Sequence, residues 1–197
     1  MGTVAGSRPT LVLASGSPRR RELLERLGLP FVVRPPAVDE TPAAGETPRE
    51  SALRLAALKA RAAAGDWVVA ADTVVEIDGH VLGKPRDAAE NERYLRLLSG
   101  RPHLVHTGLA VVSPGGEKTL VSTTTVWFRD LGDWEITAYA ASGEGLDKAG
   151  GYGIQEKGMA LVEKIEGDFF TVMGLPVAAL WQVLAELSYP LAEVWRA

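Results

Sequence analysis

The chain has no cysteine, which excludes disulfides, thiolate catalysis and cysteine-ligated zinc. Its three histidines, His80, His103 and His106, show no metal-binding spacing of the H-E-x-x-H kind. Side-chain amides are scarce: only Asn91, Gln155 and Gln182 carry one, while arginine outnumbers lysine fifteen to six, a bias expected of a heat-tolerant protein or a GC-rich genome. No apolar run is long enough for a membrane span, and the first ten residues lack a signal-peptide core, so the expected compartment is the cytoplasm. No block of like charge marks a disordered tail or a nucleic-acid-binding arm. What remains is a chain of 197 residues, 46% hydrophobic and 23% charged, large enough to bury a real core.

The net charge of −4 is unevenly placed. Residues 1–61 hold ten Lys and Arg against six Asp and Glu, a balance of +4, and the remainder holds eleven against nineteen, a balance of −8. That division suits a compact anionic ligand carried with a metal better than it suits long nucleic acid.

The basic part is organised around Leu11–Gly28. An apolar strand, Leu11–Ala14, runs into the tight turn Ser15-Gly16-Ser17, and a helix opens with Pro18 at its first position, followed by Arg19, Arg20 and Arg21. Arginine at a helix N-terminus opposes the dipole, so three in a row point to a purpose other than helix stability. Free backbone donors, hydroxyls and guanidinium groups together make a site for phosphate oxygens.

Further along, Phe31–Arg34 reads as a strand leading to the acidic loop Val38-Asp39-Glu40, and Thr47-x-x-Glu50 is a capping box that starts a helix from about Pro48 to Ala64, with Leu53, Ala56, Ala57 and Ala60 as its apolar face. Lys59 and Arg61 lie off that stripe and read locally as solvated charges. Trp67–Ala71, apolar without alternation, predicts a strand buried on both faces that ends abruptly at Asp72-Thr73, where ligands collect in open α/β sheets. Val74–Ile77, the Asp78-Gly79 turn and His80–Leu82 predict a hairpin. The following Gly83-Lys84-Pro85 is not a P-loop, because the spacing is one residue short and proline replaces the metal-binding hydroxyl residue. A helix over Asp87–Leu98, long strands over Leu104–Ser113 and Lys118–Arg129, a short helix capped by Asp133 and running to Ala141, a strand over Met159–Ile165 and a last helix from Pro176 complete the expected α/β pattern. The glycine-rich stretch Gly143–Gly158 contains no G-x-G-x-x-G, so a dinucleotide fold is unsupported. Basic groups near the isolated carboxylates Glu40 and Asp72 suggest a nucleoside triphosphate held with Mg²⁺, one carboxylate being available to activate water.

Seven motifs in order carry a resemblance. They are Ser15-Gly16-Ser17-Pro18-Arg19-Arg20, Val38-Asp39-Glu40, Ala71-Asp72-Thr73, Gly83-Lys84-Pro85, Ser99-Gly100 with His103 and Thr107-Gly108, Lys148-Ala149-Gly150 through Gly153-Ile154-Gln155, and Val172–Pro176. Together, over Leu11–Leu187, the chain resembles the Maf family of nucleoside triphosphate pyrophosphatases. The resemblance implies a mixed, elongated β-sheet flanked by helices with a cleft between two lobes, similar to inosine triphosphate pyrophosphatase (Maf/Ham1-like), in a single domain over residues 11–187, with a flexible extension over 1–10 and a second extension over 188–197. It implies Asp72 as proton acceptor, Glu40 with Asp72 on a divalent metal (Mg²⁺, or Mn²⁺), and Ser15, Arg20, Lys59 and Lys84 at the phosphates. Arg19, Thr73 and Gln155 match the branch of the family acting on dTTP and UTP, where the branch preferring 7-methyl-GTP carries Trp, Gln and Glu. Ordinary or modified pyrimidine nucleotides, a homodimer, and no nucleic-acid or membrane partner complete the expectation. The alternative is a regulator of cell division and septum formation that binds nucleotide in the same pocket without turnover.

Overall fold

The computed structural model describes residues 9–196; the N-terminal extension expected over 1–10 lies, but for its last two residues, outside them. Seven strands, β1 (Leu11–Leu13), β2 (Phe31–Val33), β3 (Val68–Ile77), β4 (His80–Leu82), β5 (Pro102–Ser113), β6 (Gly116–Phe128) and β7 (Val162–Glu166), form one mixed sheet in the order β2-β1-β3-β5-β6-β7, with β4 paired to β3. The helices are α1 (Pro18–Arg26), α2 (Pro48–Ala62), α3 (Ala88–Leu98), α4 (Asp133–Ala141), α5 (Phe169–Met173), α6 (Val177–Glu186) and α7 (Leu191–Val194). Among them none is long and apolar enough to cross a membrane.

Both faces of the central strands are covered. Leu11 and Leu13 of β1 and Val69 and Ala71 of β3 pack with Leu23 and Leu24 of α1, Leu95 and Leu98 of α3, and Leu180 and Leu184 of α6. On the other face Val12, Val68, Ala70 and Ala110 meet Ala56, Ala57 and Ala60 of α2. The capping box forms as expected, with Thr47 accepting from the Glu50 amide and the Glu50 side chain accepting from the Thr47 amide. The buried face of α2 includes Ala52 and Leu55, whereas Leu53 is only partly covered, a rotation relative to the expected stripe. Small residues let this helix lie against the sheet backbone. A Cβ on Gly108 of β5 would stand 2.1 Å from the Ala52 carbonyl oxygen, so glycine is required at that crossing.

Three further expectations are corrected. Asp72-Thr73 does not end a strand: β3 is continuous to Ile77, because β5 pairs with it residue by residue from Val68↔Val112 to Glu76↔Leu104. The expected strand over Met159–Ile165 begins only at Val162; Lys157–Leu161 is a 3₁₀ turn. Asp133 occupies the first turn of α4, and the cap is Gly132, whose amide donates to Glu135. In the segment expected as a C-terminal extension, Tyr189, Leu191 and Val194 are buried.

The partners of β3 on its other edge create the feature that matters for function. The strand β1 pairs in parallel only with Val68 and Val69, and β4 pairs antiparallel only from Val75 onward. Residues 70–74 therefore face a notch in the sheet. Since successive side chains point to opposite faces, Asp72 and Thr73 reach the same opening from different sides.

Candidate active site

The notch opens into a cleft of about 830 Å³, lined by the β1–α1 turn, Glu40, α2, the middle of β3, the β4–α3 loop, the glycine-rich segment from Asp147 to Gln155 and the loop at Gly174. All the candidate residues, Ser15, Arg19, Arg20, Glu40, Lys59, Asp72, Thr73, Lys84 and Gln155, line it. Residues up to 140 positions apart in sequence thus share one wall.

On the α2 side, Lys59 Nζ donates to Asp72 Oδ1 at 2.6 Å and lies 2.9 Å from Glu40 Oε1. The side chains of Lys59 and Asp72 are each 12% exposed, and that of Glu40 is 59% exposed. The local reading of Lys59 as a solvated charge is therefore overturned: the close seat of α2 on β5 lays this lysine over β3. Asp72 Oδ2 takes no hydrogen bond among the described residues. One carboxylate oxygen is anchored and the other is left to the cleft.

On the opposite side, Arg20 is held by three contacts. Its Nε donates to the Gly174 carbonyl at 2.7 Å, Nη1 to Ser15 Oγ at 2.9 Å and Nη2 to Thr73 Oγ1 at 3.2 Å. A guanidinium has five donors, so two are left over. Burial pushes its pKa down to about 10, with Asp72 opposing, so the cation persists at neutral pH. Ser15 Oγ also accepts from the Ser17 amide, and Ser17 Oγ from the Arg20 amide, so the turn is set by its own hydroxyls. Thr73 Oγ1 lies 3.0 Å from Thr107 Oγ1, whose proton goes to the Thr171 carbonyl; Thr73 thus donates to Thr107 and accepts from Arg20. Lys84 is exposed at the rim and makes no hydrogen bond or ion pair among the described residues. Arg21 pairs with Glu25 on the surface and stays out of the cleft.

Arg19 and Gln155 meet at the glycine-rich segment. Arg19 Nη1 lies 3.1 Å from Asp147 Oδ2. Gln155 Nε2 donates to Glu156 at 3.1 Å, and its Oε1 is buried without a partner. Lys148, buried beside them, had no assigned role in the sequence, although the Lys148-Ala149-Gly150 motif marked its position. The same holds for the Gly174 carbonyl and Thr107, which hold Arg20 and Thr73 from outside the candidate set.

The described residues contain no cluster of three or more His, Asp or Glu that could cage a metal by themselves. Two carboxylates converging on one ammonium do suit an Mg²⁺-like ion, which takes one or two carboxylates and completes its shell with substrate oxygens and water. The donor set fits such an ion. A mixed α/β fold whose cleft sets buried and rim cations beside a carboxylate pair defines a protein built to take a compact, multiply charged anion.

The chain belongs to the Maf family: the family model described as Maf-like protein matches residues 10–187. It is 53% identical over 181 residues to the dTTP/UTP pyrophosphatase of Thermus thermophilus, covering 92% of this chain and 96% of that protein. It is 51% identical to the dTTP/UTP pyrophosphatase of Deinococcus radiodurans (91% and 94% covered) and 50% identical to that of Thermococcus gammatolerans (91% and 97% covered). Among solved structures, the Ham1 protein of Staphylococcus aureus is similar at 19% identity and a TM-score of 0.44, covering 61% of this chain and 72% of that one.

Proposed function

We propose that this protein hydrolyses dTTP and UTP to the nucleoside monophosphate and pyrophosphate. The observation that carries the reading is Asp72, a carboxylate with one oxygen anchored by Lys59 and the other free in a cleft whose opposite wall is Arg20, Ser15 and the α1 N-terminus. Water attacks the α-phosphorus in line with the bridging oxygen to the β-phosphorus; the new P–O bond forms as that bridge breaks, pyrophosphate departs, and Asp72 takes the water proton. The spare donors of Arg20, the amides of the β1–α1 turn, Lys59 and Lys84 bind the phosphate oxygens and stabilise charge that grows on the leaving group. Glu40 and Asp72 would hold the divalent cation, which when bound neutralises phosphate charge.

Arg19, Thr73 and Gln155 serve base recognition. Gln155 lines the cleft, and a side-chain amide carries both a donor and an acceptor, the pair that suits a pyrimidine edge presenting N3–H and carbonyls. A cytoplasmic nucleotide pool is the natural source of such substrates. Incubating the protein with UTP or dTTP and Mg²⁺ and identifying products by ion-exchange chromatography tests the reading. Nucleoside monophosphate with pyrophosphate is the expected outcome; nucleoside diphosphate with orthophosphate, or no turnover, refutes it.

A further inference from the structure

Glu40 is carried on residues 34–47, which run from β2 to α2 with neither helix nor strand. The two ends of this segment are fixed: the Arg34 amide donates to the Leu13 carbonyl, and the Thr47 capping box opens α2. Between them, the Glu40 side chain is 59% exposed and pairs among the described residues with Lys59 alone, at 2.9 Å. An ion pair so exposed contributes about 0–1 kcal/mol, too little to hold a loop, and a cation arriving at Glu40 competes with it.

A firmer grip comes from further back on α2. Arg54 forks onto Glu46, Nε donating to Oε1 at 2.6 Å and Nη2 to Oε2 at 2.9 Å, and Nη2 also donates to the Thr41 carbonyl at 3.2 Å. A bidentate guanidinium–carboxylate pair fixes direction as well as distance. The Glu46 side chain is 9% exposed, and its Oε2 accepts from the Ala43 amide as well. The hydrogen bonds from Arg54 pull the Glu46 pKa down to about 2, so the clasp stays charged at neutral pH. Asp39 Oδ1 accepts from the Thr41 amide at 2.9 Å, which closes a tight turn around Glu40. Arg54 is not among the residues lining the cleft; what it touches is the loop, at the residue after Glu40 and again just before the helix.

We propose that Arg54, through Glu46 and the Thr41 carbonyl, is a positioning residue for the divalent cation: it holds the loop so that Glu40 and Asp72 converge on one point as a preformed carboxylate pair. The inference rests on the reading of those two carboxylates as the cation's ligands given above. Because the clasp uses neither of them, it persists when the ion draws Glu40 away from Lys59. Without it the loop is seated only part of the time, and the apparent affinity for the cation falls by that fraction.

The test titrates Mn²⁺ into the full-length protein without nucleotide and counts free ion by electron paramagnetic resonance. A loop seated about a tenth of the time makes Arg54→Leu bind Mn²⁺ about tenfold more weakly than wild type. Glu46→Ala breaks the same clasp from the other side and is expected to match it. Arg54→Lys still pairs with Glu46, though at one point only, and is expected to stay within about threefold of wild type. In UTP hydrolysis the Mg²⁺ concentration for half-maximal rate rises with the same order, while kcat at saturating Mg²⁺ stays within about twofold. In a Glu40→Gln background Arg54→Leu adds no more than about a twofold loss, since the clasp acts through Glu40. A merely structural role would lower the melting temperature and leave Mn²⁺ affinity, measured well below melting, untouched. Wild-type affinity in Arg54→Leu and Glu46→Ala, or a full further loss on top of Glu40→Gln, overturns the inference and leaves the cation site standing. Wild-type Mn²⁺ affinity in Glu40→Gln, or no binding by the wild-type protein, fails the reading of the carboxylate pair itself, and this inference with it.

Discussion

Replacing Asp72 by asparagine exchanges the cleft-facing oxygen for an NH₂ group and changes little else. The anchored position can still accept from Lys59, which sits 2.6 Å from Oδ1 and keeps Glu40 at 2.9 Å as a second partner. Turning a charge-assisted hydrogen bond into a neutral-acceptor one costs about 1–2 kcal/mol, well inside the stability of a domain this size. The catalytic loss is larger. General-base assistance contributes a factor of about 10²–10⁴, or roughly 3–5 kcal/mol of barrier. Asp72→Asn should therefore melt within a few degrees of wild type, lose about two to four decades in kcat, and still bind substrate detectably, since Arg20, Ser15, Lys59 and Lys84 remain at the phosphates while one of the two carboxylates proposed for the cation is lost. Pyrophosphate release gives kcat, calorimetry with a non-hydrolysable UTP analogue gives affinity, and circular dichroism confirms the fold. A kcat within about tenfold of wild type would refute Asp72 as the base.

Other outcomes follow from the same geometry. Gly108→Ala drives a Cβ to 2.1 Å from the Ala52 carbonyl oxygen, against backbone that cannot rotate away, so α2 must retreat. Overpacking of this kind costs about 1–3 kcal/mol, and shifting Lys59 by about 1 Å should cost roughly a hundredfold in kcat; thermal melts and rates that both match wild type would contradict the proposed seat of α2. Lys59→Met leaves Asp72 and Glu40 without their shared cation, at a cost of about 3 kcal/mol, the low end for a buried pair because Glu40 is half exposed. Mg²⁺ is expected to raise the melting temperature of that variant more than that of wild type, and equal shifts would argue against the two carboxylates as the cation's ligands. Burial pushes the His103 pKa down to about 4. The folded protein therefore refuses a proton that the unfolded chain takes at about 6.5, so stability is full above that pH, falls by about 3 kcal/mol as pH drops toward 4, and is flat in this contribution below it. His103→Gln, which still offers Tyr152 a hydrogen-bonding partner, should flatten the difference in urea midpoints between about pH 7 and pH 4.5; an identical slope would show that His103 does not carry it.

Local chemistry in the chain was enough to announce the strand-turn-helix at Leu11–Arg26, the Thr47–Glu50 capping box, the Asp78-Gly79 hairpin and the long hairpin of β5 and β6, because each is written in residues close together in sequence. The order of the seven motifs likewise pointed to the family that the whole-chain match identifies. Strand bounds were less legible. The polar residues Asp72 and Thr73 looked like a strand end, yet the ladder to β5 carries β3 through them, since backbone pairing is indifferent to a side chain that can reach a cleft.

The sequence by itself determined the inventory: a basic turn, two isolated carboxylates, a lysine off the apolar stripe of α2, and an amide in a glycine-rich stretch. Only the tertiary structure decided their pairing. Lys59 became the partner of Asp72 because Gly108 and the alanines of α2 let helix and strand backbones approach, and Asp72 and Thr73 came to share one cleft because β1 and β4 stop short of each other along the edge of β3. The ion pair of Arg19 with Asp147, which brings the β1–α1 turn against the glycine-rich segment, joins residues 128 positions apart. Periodicity and capping act over a few residues and can be read along the chain, whereas close approach, strand ends and charge relays depend on which surfaces meet after folding.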